Sequence, residues 1–252
     1  MNNKSSDPFQ ALLKPSEQKS VHSAPVGLVE MSGRYRIGLP ARPVIVHDNG
    51  HLDRFAKREP TAADYVALTK WKTMLNTAEI FRKDLSDANA AYRHFLYGEG
   101  KDRKVDYHRY LKEDPAGGRL FMEIINDFSK HAEIIGIDRL KFAITSEPYA
   151  IGTRGFASGP ETESWQKTIG QHYVWASANV EVSADVKGKI WYEAELTLHM
   201  EDRYNFNPGA RDIATGIPDA DNGRFEITGL AYQYRSFGSA IHRTKWVEGE
   251  RL

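Results

Sequence analysis

Asp202, Arg203, Tyr204 and Asn205 stand in a row, followed by Phe206-Asn207-Pro208-Gly209. A carboxylate, a guanidinium, a phenol and a carboxamide side by side supply an anionic acceptor, a fixed cation and neutral donors. Such a set can hold chemistry if a stiff scaffold presents it. On composition and spacing alone a satisfied turn is the simpler account, with Asp202 capping backbone amides, Arg203 solvated and Tyr204 packed beneath the loop. Both readings stay open.

The scaffold is legible. From Ile190 to Leu198 apolar residues alternate with polar ones: Ile190, Tyr192, Ala194, Leu196 and Leu198 on one face, Glu193, Glu195 and Thr197 on the other. That period of two marks a half-buried strand. An earlier run, His172 to Ser183, alternates alike through Val174, Ala176, Ala178, Val180 and Val182. Asp185 and Gly188 lie between the runs, which predicts a hairpin whose second strand delivers Asp202 at its end. The carboxylates Glu193 and Glu195 share one face, and a solvated strand face is the simpler account of them than an acid–base pair.

Further upstream the chain turns helical. Residues 1 to about 25 are rich in Ser, Lys, Asn and Pro and are expected to form a mobile leader, followed by loop and short strands over 26–51. Thr61 with Asp64 predicts a helix start, and Tyr65, Leu68, Trp71 and Leu75 follow at helical spacing. Ser86 or Asp87 starts a second helix that ends at Gly98-Glu99-Gly100, and Leu120 to Ile135 makes a third. Strands are expected at Leu140–Thr145, Arg224–Leu230 and His242–Val247, with a Gly/Pro loop over Tyr149–Glu163. The expected fold is α+β: a helical N-terminal half packed on a curved, mainly antiparallel C-terminal sheet like an open β-barrel. The expected division is 1–25 leader, 26–135 loop and helices, and 136–252 the β-rich catalytic-type region, with 85–252 acting as one activity domain.

Composition narrows the function classes. The 252 residues hold 34 Lys plus Arg against 34 Asp plus Glu, so no long-range field draws the chain to nucleic acid or to an anionic membrane surface, and no nucleic acid is expected as a partner. There is no cysteine, which removes disulfides, thiolate zinc sites and cysteine nucleophiles. No Walker-type loop, Gly-x-Ser-x-Gly elbow or His-Glu-x-x-His helix is present. The first residues lack the apolar core of a secretory signal, and no apolar run approaches the ~20 residues that span a bilayer. If the protein acts outside the cytoplasm, a machine other than the general secretory route must carry it.

Two segments together resemble the activity domain of colicin M and related lipid II-degrading bacteriocins. The first is Ala91-Tyr92-Arg93-His94-Phe95-Leu96-Tyr97-Gly98-Glu99-Gly100-Lys101-Asp102-Arg103, similar to that family's helix end, its Gly-x-Gly and the Arg after it. The second runs from Gly188 to Asn207 and is similar to a strand ending in an Asp-x-Tyr-Asp-Phe-like motif, here Asp202-Arg203-Tyr204-Asn205-Phe206. The C-terminal half also resembles an uncharacterised domain family of suspected type VI secretion effectors, through Arg-Tyr-Asn-Phe-Asn-Pro-Gly and Asp-Asn-Gly-Arg-Phe-Glu.

The resemblance implies an antibacterial toxin: a phosphoester hydrolase that cuts lipid II between lipid and pyrophosphate, in the periplasm of the target cell. It implies Asp202 as central carboxylate, acting as nucleophile, base or ligand of a divalent cation such as Mg2+, and Tyr204 as the group orienting a phosphate oxygen. Arg203 or Arg211 would neutralise the pyrophosphate. A cognate immunity protein and secretion machinery are the implied partners. The chain departs from the pattern at Asn205, where the family has a second Asp, and at Arg211-Asp212, where it has His-Arg. His242 or His199 could stand in for that histidine. A precursor-binding module without turnover is the alternative, and a toxin acting on nucleic acid is a third.

Overall fold

The structure, a computed structural model, describes residues 31–38, 41–47, 57–152, 156–207, 209–212 and 214–250. The expected leader lies outside the described residues, as does Pro208.

Strands β1 (Met31–Ser32) and β2 (Tyr35–Ile37) open the described chain as an antiparallel pair. Helix α1 (Ala62–Phe81) begins as its sequence predicts. The Asp64 carboxylate accepts the Thr61 N–H at 2.8 Å and the Thr61 hydroxyl at 2.7 Å. Asp64 is fully buried, yet Arg58 and Arg224 both pair with it, and their hydrogen bonds with those of Thr61 hold its carboxyl well below the usual range. Leu68 and Leu75 form the buried side of the helix. Helix α2 (Ser86–Tyr97) follows and stops at Gly98, whose N–H bonds back to the His94 carbonyl at 2.7 Å. A side chain at Gly98 would sit 2.5 Å from that same carbonyl, so the stop requires glycine.

Then come β3 (Arg103–Lys104), α3 (Tyr107–Glu113) and α4 (Pro115–Gly136). Asp114 caps α4 through the N–H groups of Ala116 and Gly117, with Pro115 in the first turn where its missing donor costs nothing. Leu120, Ile124, Ile125, Phe128, Ala132 and Ile135 make one buried stripe along α4. Each of the Leu, Ile and Phe side chains removed from water contributes about 1.5–3 kcal/mol. The stripe lies on the sheet: Val174, Ala176, Ala178, Val180, Tyr192, Leu196, Leu198 and Met200 share its core.

The sheet continues with β4 (Lys141–Ser146), β5 (Tyr149–Ile151), the short helix α5 (Glu163–Ile169), β6 (His172–Ala184) and β7 (Ile190–Tyr204). The predicted hairpin is the central pair, in register from Ala184↔Ile190 to Tyr173↔Glu201. Asp185 fixes its turn by accepting the N–H groups of Lys187 and Lys189, and Gly188 takes the left-handed φ of 77°. Strand β8 (Tyr234–Val247) pairs along the whole of β7. Among the described residues the order is β1-β2-β4-β6-β7-β8-β3, with β5 on β6, and the sheet stays open. Every pairing is antiparallel except β3 on β8. The α+β expectation holds.

One element differs in kind. Arg224–Leu230, read as a strand from its Phe225/Ile227 alternation, lies largely in helix α6 (Ala220–Thr228). Gly229 closes this helix in the left-handed region at φ 67°, and Phe225 is wholly buried in a second core with Leu68, Leu75, Phe95 and Tyr234. Five alternating residues fit either period, and the glycine cap with tertiary burial decides for the helix. The expected Gly/Pro loop after Tyr149 likewise contributes β5, and β8 starts well before His242.

Candidate functional site

Asp202 sits near the end of β7, where alternation puts it on the helix-covered face with Met200 and Tyr204. Its partner across the ladder is Ser236 of β8, and the partner of Ser236 on the other side is Arg103 of β3. Asp202, Ser236 and Arg103 therefore form one row across three strands, side chains on one face, with the outer two about 10 Å apart at the backbone. One residue pair further along, Tyr204 opposes Tyr234 with rings stacked at 4.9 Å and 11°.

The row is roofed by α2. The Tyr234 hydroxyl donates to the Ala91 carbonyl at 2.9 Å, and the His94 ring stands edge-on to Tyr234 at 4.5 Å. His94 Nε2 lies 2.6 Å from the Lys101 carbonyl oxygen. A carbonyl only accepts, so this nitrogen carries the proton and Nδ1 is left as the basic atom. Phe95 and Phe206 pack on Tyr204 from the second core.

The electrostatics follow from burial beside charge. Burial raises the Tyr204 phenol well above its ordinary value; the neighbouring phenols and Asp202 add to this, while Arg103 opposes it. Tyr234 is raised for the same leading reason. Both stay protonated at any physiological pH and act only as neutral hydroxyls. Arg103 is the unusual member: its Nη1 is buried and has no hydrogen-bond partner among the described residues. A guanidinium nitrogen withheld from water and protein alike is a seat for an anion.

Glycine holds Arg103 in place. A side chain on Gly238 would meet the Val105 carbonyl at 2.6 Å and Tyr107 Cβ at 3.1 Å, so β3 and the start of α3 can lie against β8 only there. The Val105 N–H bonds to the Phe237 carbonyl at 2.8 Å, which completes the clasp.

The structure scatters the other predicted site residues. Arg203 points to the opposite face from Asp202 and its Nε donates to Gln233 at 2.8 Å. The Asn205 amide nitrogen lies 3.4 Å from the Asn207 side-chain oxygen, within the turn. Arg211 is exposed on the loop before α6, bridged to Pro218. The turn is pinned by α6: Glu226 accepts the Phe206 N–H at 2.9 Å, and Asp219 accepts the Asn207 N–H at 3.0 Å. Neither stand-in histidine reaches Asp202. His199 lies on the outer face, stacked on Trp175 at 4.9 Å and bonded to Ser177 at 2.8 Å. His242 is six residues along β8 from Ser236, about 20 Å away, against Phe121 of α4. Glu193 and Glu195 pair with Lys245 and Arg243 on the solvated face, as expected.

No protein-family model matches this chain, and no curated protein matches it in sequence. Among solved structures it is similar to PaeM, a colicin M-like bacteriocin produced by Pseudomonas aeruginosa, at 16% identity and a TM-score of 0.41. The match covers 65% of this chain and 52% of that one, so the chain spans about half the length of that bacteriocin.

Arg103 joins the candidate site although local composition does not single it out. It stands after Gly98-Glu99-Gly100 in the first of the two segments, while Asp202 ends the second. Their meeting is a matter of strand register, which links residues about a hundred positions apart through Ser236.

On the reverse side of β7 lies a different carboxylate. Glu201 has only 4% of its side chain exposed, and it accepts both Nε and Nη2 of Arg42, with His47 at 3.1 Å and Arg235 at 3.4 Å. Burial pushes its carboxyl up, but the bonds from Arg42 and His47 and the nearby guanidinium charges outweigh that and hold it below the ordinary range. It borders a pocket of about 290 Å³ with Lys104, Trp175 and His199.

Proposed function

We propose that this protein is an antibacterial toxin that hydrolyses lipid II or a related undecaprenyl-pyrophosphate precursor, between lipid and pyrophosphate, in the periplasm of a target bacterium. One observation carries this reading: the row Asp202–Ser236–Arg103, with a carboxylate at one end and an unsatisfied guanidinium nitrogen at the other. The two-segment sequence resemblance, which brings Arg103 and Asp202 from its separate halves, supports it.

The row suggests the roles. Arg103 receives a non-bridging phosphate oxygen and offsets charge as it builds on the pyrophosphate. Tyr204, held neutral by burial, donates its hydroxyl to a second oxygen. Asp202 takes the proton from an attacking water; the new bond forms from water oxygen to phosphorus, and the phosphorus–oxygen bond to the lipid breaks. The lipid leaves as its alcohol after taking up a proton. Arg203 and Arg211, on the far face and on the loop, would meet only parts of the substrate beyond this pyrophosphate.

A magnesium ion suits this donor set, because Mg2+ commonly takes one or two carboxylates and completes its shell with substrate phosphate and water. Asp202 would hold it, and the ion would add charge neutralisation at the pyrophosphate. No group of three His, Asp or Glu among the described residues forms a ready-made metal cage. A cognate immunity protein and a delivery machine belong to the same reading.

The remote placement of His199 and His242 favours one second reading, a precursor-binding module without turnover. Purified protein incubated with lipid II and Mg2+ separates the two. The hydrolase reading expects free undecaprenol; saturable binding with no product across several divalent metals would leave the binding module.

A further inference from the structure

Helix α1 buries Leu68 and Leu75 and turns its opposite side to solvent. That exposed side carries one continuous stripe at helical spacing: Ala62, Val66, Thr69, Thr73, Thr77 and Ile80. Val66 is 71% exposed and Ile80 62%, while Phe81, at the end of the helix, is 76% exposed. Charges are almost missing from this side, where Lys70 is the only ionisable group exposed within α1 apart from Tyr65.

The threonines sharpen the point. Each donates its hydroxyl to the carbonyl four residues back: Thr69 to Tyr65, Thr73 to Thr69 and Thr77 to Thr73, all at 2.9 Å. Hydroxyls turned onto their own helix are already satisfied, and the methyl groups become the outward surface. A helix facing water gains nothing from this, since water would satisfy the same hydroxyls. A helix facing an apolar phase avoids the cost of stranding them.

Charge at the edges selects among apolar phases. The acids of α1 are neutralised from outside it: Asp64 by Arg58 and Arg224, Glu79 by Arg93. Among the described residues its lysines form no ion pair; Lys72 lies over the Tyr97 ring at 4.7 Å. The helix thus presents an apolar strip with a cationic border and aromatic rings, Tyr65 and Phe81, at its two ends.

We propose that the solvent face of α1 docks on the surface of an anionic phospholipid bilayer, the helix lying parallel to it with its stripe among the headgroups and upper acyl chains. No helix among the described residues is long and apolar enough to cross a membrane, so this contact is peripheral. The inward side of α1 packs in the same core as Tyr204 and Tyr234. The docked helix therefore lies between the bilayer surface and that core, and the docking does not depend on the proposed hydrolase.

The full chain is floated with vesicles of phosphatidylcholine alone and of phosphatidylcholine with phosphatidylglycerol, both free of undecaprenyl lipids. The expected result is flotation with the anionic vesicles, about ten-fold or more weaker for Val66→Asp/Ile80→Asp. Val66→Ser/Ile80→Ser should be intermediate, with unchanged thermal unfolding showing that the fold is intact. Asp202→Ala should float like the unaltered protein, which separates docking from catalysis. Failure to float, or flotation indifferent to both double variants, would overturn the proposal. So would a size-exclusion dimer that the aspartates dissociate, since the stripe would then cover a second copy.

Discussion

Glu201 and Asp202 are neighbours in sequence on opposite faces of one strand, and the cations near them differ. Glu201 is surrounded: Arg42, His47 and Arg235 converge on it, and little of it sees solvent. Asp202 shares its row with Arg103, a cation that still has a buried nitrogen to satisfy. A carboxylate ringed by cations has its interactions completed by folding and serves the fold. A buried guanidinium nitrogen without a partner among the described residues can take an anion that arrives. The difference between structure and chemistry here is one of saturation, not of residue type.

The comparison is broken most directly by mutating both sites and reading both outputs. Asp202→Ala should cut lipid II hydrolysis by about 10²–10⁴-fold, as loss of a general base does, with little change in the urea unfolding midpoint. Arg103→Lys keeps the charge but loses the planar fork, and should cost about 10²-fold in kcat. If turnover survives Asp202→Ala, the inner row is not the reactive one. A subtler test acts through Gly238. Gly238→Ala pushes against the Val105 carbonyl and shifts β3, so turnover should fall about ten-fold through Arg103 while stability drops by about 1–3 kcal/mol. Lys104→Ala, which leaves the β3–β8 contact at Gly238 undisturbed, should behave as the unaltered protein.

The smallest effect belongs to the saturated side. Glu201→Gln should leave turnover unchanged and lower stability by about 1–3 kcal/mol, because charge-assisted bonds to Arg42 and His47 are lost. The sign of its pH dependence is set by the depressed carboxyl. Its contribution is complete above the ordinary Glu value of about 4.3 and fades as pH falls through the lower folded value. Urea midpoints of the two proteins should therefore converge in acid. A Glu201→Gln enzyme with impaired turnover would erase the contrast between the faces.

What the sequence disclosed follows the range of the forces involved. The hairpin was legible because its period of two is written in Val174–Val182 and Ile190–Leu198, and the α1 start because Thr61 and Asp64 are three residues apart. Helix α6 was not, since Arg224–Thr228 is too short to choose a period and its choice comes from Phe225 entering the second core. Asp202 and Tyr204 were found from local composition, and the structure does bring them to one face. Arg203 stands in the same run and Arg211 is implied only by the family resemblance; both lie elsewhere, because alternation and a loop, not residue type, aim a side chain. Arg103 was hidden for a stronger reason: only the register of β3 on β8 puts it in line with Asp202.

Strand β7 has one more consequence, for anyone who wishes to handle the molecule. Its turn at Asp185–Lys189 lies about 45 Å of extended chain from Asp202. Val186 there is fully exposed and a glycine already makes the bend. A fluorophore, affinity tag or small inserted domain at that tip can report on the protein from a distance, leaving the reactive end as the sequence built it.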